Sequence, residues 1–73
     1  MPTGRVSSVW SKPSRGFKLI VPPDPGPPPV PGYDLVFSAV DQDDWALVIA
    51  AYSGGTNATV TGTAPNCTGV TLP

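Results

Sequence analysis

The chain has 73 residues, of which 40% are hydrophobic and 12% charged, with a formal net charge of −1. That length makes one domain at most. One cysteine (Cys67) and no histidine exclude an internal disulfide, and they leave out the residues used by zinc sites and by Ser/His/Asp or Cys/His catalysis.

The charge is segregated. Arg5, Lys12, Arg15 and Lys18 lie in the first twenty residues, and Asp24, Asp34, Asp41, Asp43 and Asp44 follow them. Such asymmetry suggests an arm that meets an acidic surface or a phosphate backbone. Four charges over that length fit a solvated tail better, so nucleic acid is not the expected partner. The longest apolar run, Trp45 to Tyr52, is far below the roughly 20 residues of a membrane-spanning helix. The start, Met1-Pro2-Thr3-Gly4-Arg5, has no apolar leader region, so neither a membrane segment nor a signal peptide is expected. The sequons at Asn57 and Asn66 are read as chance in a Thr-rich region.

Residues 1–20 read as a basic extended arm. No helical or alternating period lasts through 1–16, and an unattached segment of this kind is expected to be disordered. Val6, Val9 and Trp10 are its candidate anchors on a partner; Trp10 marks an interface or tucks onto the chain's own β piece, with neither reading preferred. Phe17-Lys18-Leu19-Ile20-Val21 is a possible edge strand ended by Pro22, which cannot donate a ladder hydrogen bond.

Residues 21–32 hold seven prolines in twelve positions and read as a stiff polyproline II spacer. Fully extended, 22–31 would span about 31 Å at ~3.1 Å per residue. Pro22, Pro25, Pro28 and Pro31 give the P-x-x-P spacing read by aromatic grooves of the SH3 type, but without the basic flank those grooves usually want.

Residues 33–73 read as a small antiparallel β piece of three or four strands. Tyr33, Leu35, Phe37 and Ala39 fall on one face of a first strand. Asp41-Gln42-Asp43-Asp44 reads as a solvated turn rather than a calcium loop, because the EF-hand glycine and glutamate are missing. Trp45 to Tyr52 carries both periods: Trp45, Val48, Ile49 and Tyr52 make a helical stripe, whereas a hairpin would set Val36 against Ile49 and Phe37 against Val48. The hairpin is preferred, with the helix left open. Thr56–Thr63 and Cys67–Leu72 complete the piece, which has about 40 residues from which to draw a core, a length that seldom folds without help. Association with other chains is therefore expected.

A Pro-rich arm with a Thr/Gly/Ala/Val-rich β piece and no catalytic residues resembles the accessory structural proteins of tailed bacteriophages: decoration, cement, head-to-tail and tail-attached proteins. Asp34-Leu35-Val36-Phe37 and Ala50-Ala51-Tyr52-Ser53-Gly54-Gly55 are similar to strand fragments of β-sandwich modules on phage fibres. The resemblance implies a non-enzymatic virion protein without cofactor or metal. Its arm would clamp neighbouring subunits, both copies of itself and a major shell or tail protein. The alternative is an adaptor whose Pro-rich segment docks an aromatic groove. The candidate contact residues are Val9, Trp10, Phe17, Leu19, Pro28, Pro29, Pro31, Tyr33 and Trp45.

Overall fold

The computed structural model describes residues 2–73 and contains five strands and one helix. In chain order these are β1 (Thr3–Trp10), β2 (Gly16–Val21), β3 (Tyr33–Phe37), α1 (Gln42–Gly54), β4 (Asn57–Thr61) and β5 (Gly69–Thr71). The strands form one sheet in the order β3-β2-β1-β4-β5, and every neighbouring pair is antiparallel. The sheet curls into a half-barrel.

This corrects the expected fold class. There is no disordered extended arm: β1 is the central strand, and β2 lies between β1 and β3 rather than at an edge. The missing alternation in the first residues has a local cause. Val6 pairs with Leu19 and Val9 with Phe17, with a register shift between Val6 and Ser8. One extra residue, Ser7, lets two valines three positions apart share a face, which breaks the two-residue period of a regular strand. Gly4 is needed for the curl, because any Cβ there would strike the Ile20 carbonyl.

The proline stretch is also corrected, from a straight spacer to a hairpin. β2 and β3 pair from Phe17↔Phe37 to Val21↔Tyr33, and Asp24 and Val30 form a further bridge in the same register. Their two N–H···O bonds are both 2.9 Å. Pro22, Pro23 and Pro31 cannot donate, so the ladder lapses between Val21 and Asp24. At the tip, the Gly26 N–H donates to Asp24 Oδ1 at 3.0 Å, a side-chain mimic of a backbone turn. The chain reverses through a long loop that suits an antiparallel pair.

Residues 45–52 are helical, against the preferred strand reading, and the hairpin of Val36 with Ile49 does not form. Phe37 pairs instead with Phe17, their rings stacked at 5.0 Å. Asp41 caps α1 in an extended conformation, and its carbonyl accepts from the Trp45 N–H at 2.8 Å. Asp43 and Asp44 in the first turn suit the positive end of the helix dipole. Gly55, at φ 67°, ends the helix in the left-handed region that glycine enters most readily. α1 is apolar on most sides but buries fully only Val48 and Ala51, which is why neither period stood out.

The core draws on both sides of the proline stretch. Val6, Phe17 and Leu19 join Phe37, Val40, Val48, Ala51, Ala58, Val60, Cys67 and Val70. α1 covers β1, β4 and β5. The two ends of the sheet meet through their flanking segments: Ser38 N–H donates to Pro65 O at 3.0 Å and Cys67 N–H to Ala39 O at 3.3 Å. No helix among the described residues is long and apolar enough to cross a membrane.

Candidate functional site

Exposed apolar surface is concentrated on the β2–β3 hairpin. Val30, Tyr33 and Val36 are 47%, 45% and 49% exposed, and the remaining large exposed hydrophobics among the described residues, Leu47 and Tyr52, are on α1. Around Val30 the turn folds into a shallow cradle of about 550 Å³ lined by Pro23, Asp24, Pro25, Pro29, Val30 and Pro31. Proline rings held by a closed loop lose little entropy when they are covered, which favours docking.

β3 is also an unpaired sheet edge. The orientation of its main-chain groups follows from two close approaches. A Cβ placed on Gly32 would lie 2.9 Å from the Val21 carbonyl oxygen, and one on Gly16 would lie 2.7 Å from that of Phe37. These carbonyls therefore point across the β2–β3 gap. By the alternation of an antiparallel ladder, Tyr33, Leu35 and Phe37 bond inward to β2, and Asp34 and Val36 turn theirs outward. Ser38 continues the outward set and gives its N–H to Pro65. Asp34 and Val36 have no such main-chain partner beyond the sheet among the described residues.

Natural edges are commonly guarded by charge, proline or a bulge. The only charge on β3 is Asp34, and Lys18 Nζ lies 3.3 Å from its carboxylate. The edge thus carries a neutralised pair and two apolar side chains.

A second concavity, of about 600 Å³, is lined by Ser11, Pro13, Ser14, Arg15, Ser38, Ala39, Val40, Asp41 and Cys67. Ser14 Oγ donates to Ser38 O at 2.7 Å and Arg15 Nε to Val40 O at 3.1 Å. These bonds pin the β1–β2 loop to the segment after β3. Burial pushes the Cys67 thiol up from its ordinary pKa, and the Asp44 carboxylate adds to the rise. A thiol held protonated is a poor nucleophile. No group of three or more potential metal ligands occurs among the described residues.

The residues singled out from sequence separate into two sets. Phe17 and Leu19 are completely buried and have no surface to offer. Val9 and Trp45 are partly buried against the core, and Trp10 lies over Gly16, where a Cβ would strike its indole. Pro28, Pro29, Pro31 and Tyr33 are exposed on the hairpin and β3. Sequence reasoning missed Val30 and Val36. Val36 lies opposite Leu35 and Phe37 in the strand alternation, so with β3 packed on one face it had to point to solvent.

Neither family models, nor curated proteins, nor solved structures give a match to this chain.

Proposed function

We propose that the chain is a non-enzymatic structural component of a multi-subunit protein assembly, docking through its β2–β3 hairpin. The observation that carries this reading is the gathering of Val30, Tyr33, Val36 and the proline cradle on one projecting element. Scattered apolar side chains are normal on any surface, whereas here Val30, Tyr33 and Val36 stand with the exposed prolines on a single hairpin beside an unpaired edge. The assembly we propose is a virion, and the partners are copies of the chain and a major shell or tail protein. That choice is supported by the class-level resemblance to phage accessory proteins. The element that engages neighbours is the hairpin, in place of the extended arm expected from sequence. The adaptor alternative is less favoured, because Asp24 and Val30 close the loop and an SH3-type groove needs its prolines in an open polyproline II helix.

The test is incorporation. Particles purified from the cells that make the chain should hold it at a fixed ratio to the major shell or tail subunit. A chain with Val30→Asp and Pro29→Asp should be depleted from them by about tenfold or more, as loss of a central apolar anchor predicts. Particles that lack the wild-type chain would overturn the reading.

A further inference from the structure

We infer that the free edge of β3 pairs with β3 of a second copy of this chain, antiparallel about a two-fold axis at Leu35. The inference rests on the hairpin being an interaction surface and adds the identity of one partner. It does not depend on which larger assembly the chain enters.

Self-pairing is singled out by register. In an antiparallel pair about Leu35, Asp34 of one copy stands opposite Val36 of the other. Asp34 and Val36 are the residues whose N–H and C=O point outward. Each Asp34/Val36 pair exchanges two main-chain hydrogen bonds, so the axis satisfies all four groups on each copy. Tyr33 then stands level with Phe37 of the second copy, whose ring is fully buried in its own core and takes no part in the contact. No like charges meet, because Asp34 opposes a valine and already has Lys18 beside it. A pairing centred on Asp34 would set two carboxylates face to face, so the edge discriminates between registers.

The ladder is short. Beyond Phe37 the outer side of the chain is already taken: the Ser38 and Ala39 N–H groups donate to Pro65 O, and Ala39 bridges Asn66. The second copy therefore pairs along Tyr33–Phe37 alone, and a ladder of that length buries little area, which makes a weak dimer.

The experiment is sedimentation of the purified full chain over a concentration series. The wild type should pass from monomer to dimer within the micromolar range, on the order of 10–100 µM for an interface of modest size. Val36→Pro removes only an outward N–H, so the β2–β3 ladder survives, and Val36→Lys places a charge on the edge. Each should weaken dimerisation by about tenfold or more. If Val36→Pro loses its fold by circular dichroism, Val36→Lys alone decides. Register is read by oxidation in a Cys67→Ala background. Leu35→Cys faces its own mate across about 4.5 Å between Cα atoms in a non-hydrogen-bonded pair, within disulfide reach, and should give covalent dimers. Val36→Cys should not. A wild type that stays monomeric at about 1 mM, a dimer unaffected by Val36→Lys, or cross-linking through Val36→Cys in place of Leu35→Cys would each overturn the inference. A monomer still incorporated into particles would leave the proposed function standing. A dimer excluded from them would overturn only that function.

Discussion

The two wings of the sheet on either side of β1 reach stability by different means. The β2–β3 wing relies on size: Phe17, Leu19 and Phe37 are fully buried, with two stacked rings. The β4–β5 wing relies on cover: Ala58, Val60, Cys67 and Val70 are small, and α1 lies over the wing. Large side chains pack their own wing and leave its far edge and loop free for other contacts. Small ones need a helix on top, which hides that wing's inner face. Both wings end in an edge strand, β3 and β5, and the exposed prolines and the half-exposed Tyr33 and Val36 flank the edge of the wing with the heavier core.

The largest expected effect tests this contrast. Phe17→Ala removes one ring of the stack and should cost about 3–5 kcal/mol. Small domains hold only roughly 5 kcal/mol or little more, so most of the chain should be unfolded at 37 °C by circular dichroism. Val60→Ala, at a site equally buried, should cost about 2 kcal/mol, from two lost methyl groups and a small cavity. Equal losses in urea melts would break the distinction between the wings.

Legibility in the sequence follows the same division. β3 was readable because Tyr33, Leu35 and Phe37 alternate cleanly, and β2 because Phe17 to Val21 is β-branched and aromatic. The two strands lay in plain view, but not their partnership. A run of prolines between them suggests rigidity and separation, and only the Asp24–Val30 bridge turns it back. β1 was hidden by its bulge, which puts Val6 and Val9 on one face at a spacing that no strand template contains. α1 was hidden by being apolar nearly all round, so its helical stripe was matched by an equally good alternation. Of the candidate surface, the exposed prolines and Tyr33 were legible. Its other half, the outward main-chain groups of Asp34 and Val36, depends on pairing parity, which no residue type encodes.

A middle-sized effect probes where the wings join. Gly16 opens β2 beneath the Trp10 indole and 2.7 Å from the Phe37 carbonyl oxygen, measured from the position a Cβ would take. The indole can swing away, but the carbonyl belongs to the β2–β3 ladder. Gly16→Ala should therefore destabilise by about 1–3 kcal/mol, as overpacking does, and should raise the solvent exposure of Trp10 seen in its fluorescence. A stability loss with unchanged fluorescence would place the strain in the ladder instead of at the indole.

The smallest effect belongs to the covered wing and appears only at high pH. Burial, with help from Asp44, raises the pKa of Cys67 above its ordinary value of 9.0. The unfolded chain, whose thiol ionises at the ordinary value, then binds fewer protons than the folded one as pH climbs between the two. Stability must fall with pH across that window and be unaffected below it. Cys67→Ala deletes the titrating group, so its melting temperature should lose less between pH 8 and pH 10 than that of the wild type. Every other group is common to the two proteins, so the comparison isolates the thiol. The open wing offers an internal contrast: Lys18 and Asp34 are about half exposed, and such a pair contributes at most about 1 kcal/mol. Added salt should weaken that pair through screening while leaving the Cys67 difference intact, because the latter originates in burial. A Cys67-dependent pH slope that vanished in salt would show that Asp44, rather than the cover supplied by α1, sets the thiol.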